Sequence, residues 1–321
     1  MDLMQIRRRL LLLALMALSA CGLGAAVQAW AMREHQQRFN AIRADFVAAD
    51  ALDRIAYRMA RERGRTLMLL RTTPPSDTDA AELGTARVET DAALRDAQPP
   101  GGLPLLPFGI DQLATLRAGA DRRSVASDAL YERYSALVAL VNEGAASRLG
   151  GGMVEVGVRH EHLNAKRDAI EHLARSRGLM AAAIARGSVD ARQREKILRE
   201  RILFDAAMRR YLQTQVPGEG DHALLMRLPA LAAMRAQWSA FDADPAACLA
   251  ATNGDAWWAE ATSAVDAYQR SLLADALIQR GAAQAVMART ETNDRWTLAA
   301  LASLGMFTAG LAFPVVARPA R

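Results

Sequence analysis

The stretch Met59–Leu70, which reads MARERGRTLMLL, indicates the fold class because its apolar residues recur every three or four positions. Met59 and Leu67 lie on one stripe that extends back to Leu52, and this spacing is typical of an amphipathic helix. Arg63 falls on the same stripe, where a buried side chain is expected. A guanidinium group taken out of water is costly unless it is paired. The sequence therefore raises the question of what faces Arg63.

A second stretch, LARSRGLMAAAI at Leu173–Ile184, repeats this arrangement and places Arg177 on its apolar stripe. Both stretches contain an R-x-R-G sequence, at Arg61–Gly64 and at Arg175–Gly178, and the recurrence indicates two structurally related halves. Each arginine has three possible environments: the edge of a bundle, an internal carboxylate, or a cavity that holds an anion. Candidate internal carboxylates are Glu62, Asp91, Glu171 and Asp205.

Helical periodicity dominates the chain, aromatic residues are only 5% of it, and sustained two-residue alternation is missing. We therefore predict an all-α domain of seven or eight helices separated by proline- and glycine-rich breaks. One helix is predicted from Ser124 to Leu149, and Asp190 is the predicted N-cap of the helix that begins near Ala191. The last helix is predicted to start near Asp255 and to continue into an apolar C-terminal stretch.

Two uncharged apolar stretches, Leu10–Ala31 and Thr297–Ala317, are each long enough to cross a bilayer as a helix. Arg7–Arg9 precede the first stretch, and Arg318 and Arg321 follow the second, so the positive-inside tendency places both termini in the cytoplasm. The predicted organisation is a basic cytoplasmic N-terminus (1–9), a first transmembrane helix (10–31), a periplasmic helical sensor domain (32–296), a second transmembrane helix (297–317) and a cytoplasmic tail (318–321). This predicts a two-span protein of the bacterial inner membrane.

One alternative concerns the first stretch, because LSAC at Leu18–Cys21 matches the lipobox of bacterial lipoproteins. A lipoprotein usually becomes polar soon after its cysteine, whereas this apolar run continues to Ala31. A retained membrane helix is therefore favoured over lipidation of Cys21.

Several function classes find little support in the sequence. The net charge of +5 comes from arginines scattered among acids, which does not favour a nucleic-acid partner. His160 and His162 are two residues apart, so they do not share a helical face, and we expect them to be exposed and predict neither a metal site nor a cofactor. Nothing in the sequence resembles a nucleophile with its base, so we do not predict an enzyme.

The sequence resembles the nitrate- and nitrite-sensing (NIT) domain family of bacterial receptors over about Leu52 to Ala285. The resemblance rests on RERGRTLML (Arg61–Leu69), TARVETDAAL (Thr85–Leu94), LATLRAGAD (Leu113–Asp121) with YERYSALVALV (Tyr131–Val141), SRGLMAAAIARG (Ser176–Gly187) and DAWWAEATSAVDAYQ (Asp255–Gln269). It implies a fold of two antiparallel four-helix bundles, nitrate or nitrite as ligand, a homodimer, and coupling to an output domain.

The resemblance also implies roles for particular arginines. The family's first-helix E-R-G arginine falls on Arg63, and an arginine of its second-half motif falls on Arg177, so both are expected to face the anion. Arg235 lies on or beside the stripe of Leu228, Leu231 and Trp238 and is a weaker third candidate. One departure is Ser176, which stands where the family usually has glutamate.

These observations predict a membrane-anchored receptor that senses nitrate or nitrite and transmits a conformational change through its transmembrane helices. The stretch after the second span is too short for an output module, so the chain is expected to be a truncated receptor or to signal through a separate partner. Two alternatives remain open. One is a helical membrane scaffold or degenerate receptor that binds no ligand, and the other is a receptor for a small carboxylate.

Overall fold

The computed structural model describes residues 3–71, 77–97, 106, 108–150, 156, 160–214 and 225–317. Its helices are α1 (Leu3–Arg71), α2 (Asp77–Asp96), α3 (Ile110–Asp121), α4 (Ser127–Gly150), α5 (His160–Arg186), α6 (Ala191–Thr214), α7 (Pro229–Ala243), α8 (Pro245–Ala251) and α9 (Gly254–Ala317). The residues just named contain no β-strand, so the all-α prediction is confirmed. The predicted tail at 318–321 lies outside the described residues.

Local chemistry explains where several helices begin. The Asp190 carboxylate accepts a hydrogen bond of 2.8 Å from the Gln193 backbone N–H, which confirms the predicted N-cap of α6. Asp244 caps α8 in the same way, and Pro245 follows it at the first helical position. Helix α4 begins at Ser127, three residues later than predicted, and the turn that precedes it includes Arg123, whose φ is 49°.

The described chain divides into two compact units: a central unit, Asp45–Gly281, and a terminal unit made of Met1–Ala44 and Ala282–Arg321. In the central unit, Glu62 of α1 joins the first helices. Arg117 of α3 donates to Glu62 and also to Asp91 of α2, at 2.7 Å in each case. Tyr134 of α4 donates to the same Glu62 carboxylate at 2.8 Å. Helices α1 to α4 therefore share one buried polar centre.

The second half of the central unit is built on α5, which packs along α6. Trp238 of α7 donates through its indole N–H to Ser176 of α5 at 3.0 Å. Lys166 of α5 donates to Ser271 of α9 at 2.6 Å. The apolar stripes predicted from the sequence are buried, as Leu52 and Leu173 illustrate.

In the terminal unit the first part of α1 lies against the last part of α9. Gln28 donates to Asp294 at 2.9 Å, and a Cβ placed on Gly24 would lie 3.5 Å from the Leu301 side chain. Residue numbers rise along one helix as they fall along the other. The two segments are therefore antiparallel.

Among the described residues, α1 is the one helix whose length and composition would allow it to cross a membrane. Its apolar side chains are exposed within the terminal unit, with Leu23 at 70% and Trp30 at 65%. An exposed apolar surface of this kind is expected to contact lipid or another protein. The second predicted span, 297–317, lies within α9, and its crossing of a membrane stays a prediction.

Candidate functional site

The two R-x-R-G sequences meet where α1 crosses α5. A Cβ placed on Gly178 would lie 3.7 Å from the Gly64 Cα atom, so the helix backbones are nearly in contact. A Cβ placed on Gly64 would lie 2.7 Å from the Trp258 ring, which is closer than real Cβ contacts allow. Glycine at both positions thus permits the close approach that brings Arg63 and Arg177 into one buried region.

Arg63 is 1% exposed and is paired inside the protein. Its guanidinium donates to both oxygens of Glu171, at 2.5 and 3.2 Å, and to the Ser135 hydroxyl at 3.1 Å. The guanidinium carbon also lies 5.2 Å from the centre of the Tyr131 ring. Burial alone would lower the pKa of Arg63, but the adjacent Glu171 carboxylate outweighs burial and raises it. The positive charge of Arg63 is therefore balanced by a buried carboxylate.

Glu171 is shared between two arginines, because Arg175 also donates to it at 2.6 Å. Burial would raise the pKa of Glu171, but Arg63 and Arg175 together lower it. Glu171 therefore stays ionised at neutral pH.

Arg177 is equally buried, at 1% exposure, but its environment differs. It donates to the Thr262 hydroxyl at 3.1 Å, and its guanidinium carbon lies 4.5 Å from the centre of the Trp258 ring. Within the part of the chain that the structure describes, Arg177 forms no salt bridge and its Nε–H has no hydrogen-bond partner. Burial lowers the pKa of Arg177 to about 10; Tyr57 and Asp266 oppose this shift, and repulsion from Arg63 adds to it.

The position that corresponds to Glu171 in the other half is occupied by Tyr57. Asp53 and Arg167 are 114 residues apart, the same separation as between Arg63 and Arg177, and they form a buried ion pair of 2.6 Å. By this spacing Glu171 corresponds to Tyr57. Arg63 thus has a carboxylate as its neighbour where Arg177 has a phenol.

Arg177 lines a small cavity of about 20 Å³, which exceeds the roughly 10–15 Å³ that one water molecule needs. Gln269 of α9 also lines this cavity, and its side-chain Nε2 group is buried with no partner among the described residues. Apolar side chains, among them Ala60, Val138 and Val265, form about half of the wall. The rest includes Asp53, paired with Arg167, and Glu171, paired with Arg63. Unused hydrogen-bond donors from two helices therefore border the same space.

A larger groove of about 510 Å³ lies beside this cavity and shares Tyr57 and Gln269 with it. The Tyr57 hydroxyl donates to Asp266 at 2.5 Å. Burial, together with this hydrogen bond, raises the pKa of Tyr57 to about 12. Three arginines and three acidic residues line the groove, and Arg58 is paired with Glu89 at 2.7 Å, so the formal charges of the lining cancel.

Arg235, the third predicted site residue, lies elsewhere in the central unit. Its side chain is 39% exposed and lies 3.5 Å from Asp205, one of the predicted internal carboxylates. It does not line the cavity of Arg177. A role for Arg235 in anion binding stays a prediction.

The departure at Ser176 is accompanied by a different partner. In the first motif Glu62 binds Arg117 and Tyr134 rather than the adjacent Arg63. In the second motif the Ser176 hydroxyl accepts from the Trp238 indole. Where the first motif has a carboxylate that accepts from Arg117, the second has a serine that accepts from an uncharged indole. Since Glu62 does not pair with Arg63, the serine at position 176 does not cost Arg177 an ion pair.

The expectation that His162 is exposed was wrong. Its side chain is buried, and the centre of its ring lies 4.4 Å from the centre of the Tyr211 ring. Its Nε2 atom lies 3.2 Å from a carboxylate oxygen of Asp275. Lys166 shares this carboxylate at 2.5 Å. No local pattern predicts this burial, because the partners come from α6 and α9, far along the chain. The cluster lies in the core, away from the cavity lining.

A comparison with protein families matches residues 54–280 to the family described as nitrate and nitrite sensing. The solved structure of the NasR transcription antiterminator is similar, with 16% identity over 88% of this chain and 82% of that chain and a TM-score of 0.52. This likeness shows a shared helical fold. No curated protein sequence matches the chain. The family match indicates a sensor, and its extent shows that the chain belongs to the nitrate- and nitrite-sensing (NIT) family.

Proposed function

We propose that this protein is a membrane-anchored receptor that binds nitrate or nitrite beside Arg177 and transmits the event through its transmembrane helices. One observation carries the proposal: Arg177 is buried, lines a cavity, and forms no ion pair with a described residue. Family membership supplies the ligand class.

The charge of Arg177 explains why an anion would bind. A fall in its pKa to about 10 corresponds to roughly 3 kcal/mol of unfavourable free energy in the charged form. An anion in the cavity would offset this cost by supplying the missing negative charge. Repulsion from Arg63 adds to this cost, whereas the Asp266 carboxylate partly offsets it.

The shape of the guanidinium group favours the proposed ligand class. It is planar and forked, so it can give two parallel hydrogen bonds to the oxygens of a planar anion such as nitrate or nitrite. The cavity has room for about one water molecule, so nitrate or nitrite would need its wall to move outward. Arg235 lies beside Asp205 and does not line this cavity, and its role in anion binding stays a prediction from the sequence.

The helices that line the cavity suggest how binding is transmitted. Helix α1 contains Tyr57 and the first predicted span, and α9 contains Gln269 and the second. An anion that prefers one packing of these helices shifts the equilibrium by its difference in affinity for the two states. We propose spans at 10–31 and 297–317, a periplasmic domain at 32–296 and both termini in the cytoplasm.

The fold that the family resemblance implies, two antiparallel four-helix bundles, is part of the same proposal. The polar centre at Glu62 joins α1 to α4 and supports a first bundle. The contacts of α5 with α6, α7 and α9 support a second. A homodimer and a separate signalling partner stay predictions.

The alternative of a ligand-free scaffold is favoured by one observation, the Arg63–Glu171 ion pair. A scaffold would require both buried arginines to be paired with carboxylates and no cavity between them. Arg63 meets that requirement, whereas Arg177 lacks a described carboxylate partner and lines a cavity. The receptor proposal is therefore better supported.

Calorimetric titration of the purified full chain in detergent tests the proposal. Nitrate and nitrite are expected to bind saturably, and Arg177→Met should abolish this binding while far-UV circular dichroism shows unchanged helicity. Arg210→Met is the matched control, because it removes the same charge from an exposed ion pair with Asp168. Titration with formate and acetate tests the small-carboxylate alternative. Failure of all four anions to bind would support the scaffold.

A further inference from the structure

The side chain of Gln269 has an unusual environment. It is 7% exposed, and its Nε2 group has no hydrogen-bond partner among the described residues. A buried donor without a partner typically costs about 1–3 kcal/mol, so native proteins retain few of them. Gln269 is not needed to fill an apolar core, since leucine or methionine would do so without this cost. The free amide therefore calls for an explanation.

The location of this donor supplies one. The described side chains that contain a buried polar atom without a partner are Arg63, Thr66, Arg87, Arg177, Asp242, Tyr268 and Gln269. Of these, Arg177 and Gln269 line the same small cavity. They belong to different helices, α5 and α9, so their donors reach the cavity from different walls. A single bound group that accepts hydrogen bonds could satisfy both.

We infer that Gln269 is the second anchor of the anion and that, with Arg177, it makes the site select oxyanions over halides. This inference rests on the proposed function. A halide has one acceptor atom, which must lie at hydrogen-bond distance from both donors at once. Nitrate or nitrite can present a separate oxygen to each donor. Gln269 is thus a specificity-determining residue, while Arg177 supplies the charge.

The inference also bears on transmission. Arg177 alone would hold the anion against α5, whereas a second hydrogen bond from Gln269 ties α9 to the same ligand. The bound anion would then bridge two helices that are otherwise joined here by the Arg177–Thr262 hydrogen bond and the Trp257 indole, which donates to the Arg177 backbone oxygen at 3.2 Å. Loss of Gln269 should therefore weaken oxyanion binding without removing the charge that attracts all anions.

The test is calorimetric titration of the full chain and of Gln269→Leu with nitrate and with chloride. Nitrate affinity is expected to fall about 10- to 100-fold in the variant, while chloride affinity changes less than threefold. Gln237→Leu is the control, because it removes a part-buried amide that donates to Cys248 at 3.0 Å outside this cavity. It should leave the preference for nitrate over chloride unchanged.

Gln269→Glu keeps the size of the side chain and replaces the donor with a carboxylate, so it should bind nitrate at least 100-fold more weakly at neutral pH. It serves as the second variant if Gln269→Leu does not fold, as judged by far-UV circular dichroism. Equal nitrate affinity in the wild type and Gln269→Leu, or an equal loss for nitrate and chloride, would overturn the inference. A wild-type chain that binds no anion would instead overturn the proposed function on which it rests.

Discussion

The surroundings of Arg63 and Arg177 follow one scheme but differ in a single charge. Arg63 lies against Tyr131 and donates to Ser135, four residues further along α4. Arg177 lies against Trp258 and donates to Thr262, four residues further along α9. In each half an aromatic ring and a hydroxyl on one helix turn therefore hold a buried guanidinium group.

The two arginines differ in the residue that the opposite helix of the α1–α5 crossing provides. Arg63 donates to Glu171 of α5, whereas the corresponding position on α1, next to Arg177, is Tyr57. Each guanidinium is almost fully buried, yet the pKa of Arg63 is raised and that of Arg177 is lowered. In the proposed receptor, the charge of Arg63 is balanced by a carboxylate inside the protein and the charge of Arg177 is left for a ligand. The two arginines differ in the balance of their charge and not in their burial.

The buried ion pair of Arg63 with Glu171 is expected to contribute strongly to the stability of the fold. In Glu171→Gln the buried Arg63 loses its counter-charge, and the free energy of unfolding should fall by about 3–5 kcal/mol. Chemical unfolding of the purified chain, followed by far-UV circular dichroism, measures this loss. Asp168→Asn is the control, since it breaks an exposed ion pair with Arg210 and should cost at most about 1 kcal/mol.

The pH dependence checks the cause of that loss. Because the pKa of Glu171 is lower in the folded chain than its ordinary value of 4.5, its contribution is complete above pH 4.5 and is lost as the pH falls through the folded-state value. The stability difference between wild type and Glu171→Gln should therefore shrink in acid. Equal destabilisation by Glu171→Gln and Asp168→Asn at neutral pH would contradict a buried, balanced Arg63.

A substitution at Tyr57 would give Arg177 a carboxylate neighbour like the one that Arg63 has. Tyr57→Glu places a carboxylate where the internal symmetry has Glu171, so Arg177 would gain a permanent counter-charge. Nitrate affinity should fall at least 100-fold, which is about 2.7 kcal/mol. Tyr57→Gln is the matched control without charge and should lose less than tenfold. If both variants bind nitrate equally, the missing carboxylate is not what opens the site.

The smallest predicted effect concerns alkaline pH. Anion binding requires the protonated guanidinium, and the pKa of Arg177 in the ligand-free protein is about 10. Nitrate affinity should therefore be constant from pH 7 to 9 and fall by up to tenfold per unit above pH 10. Tyr57 keeps its proton in this range because its pKa is about 12. Circular dichroism at each pH confirms that the chain stays folded. Constant affinity up to pH 11 would place the anion away from Arg177.

Much of the fold could be predicted from sequence because helical periodicity is a local property. The position of Asp190 as an N-cap and the burial of Arg63 and Arg177 follow from neighbours a few residues away. The choice of partner could not be predicted. Four carboxylates were candidates, and only the packing of α1 against α5 selects Glu171 for Arg63. Among the described residues, Arg177 is left without a carboxylate partner.

Gln269 shows the same limit more clearly. It lies in the segment DAWWAEATSAVDAYQ, where nothing distinguishes it from any other polar residue of an amphipathic helix. Its proposed role rests on its burial, its place in the cavity wall and the lack of a partner for its Nε2 group among the described residues, and only the folded chain reveals these. A sequence signal was nonetheless present for Tyr57. Aligning the two R-x-R-G motifs places a tyrosine opposite a glutamate.

The carboxylate of Asp294 bears on how deeply the two predicted spans would lie in a membrane. It accepts from Gln28 at 2.9 Å and lies 2.8 Å from His35, so it fixes the longitudinal register of α1 and α9 in the terminal unit. Gln28 lies just inside the end of the stretch 10–31, and Asp294 just before the start of 297–317. Those ends are therefore level, and each stretch spans about 30 Å at about 1.5 Å per residue. In the proposed receptor, Asp294 marks the plane where hydrocarbon gives way to headgroups.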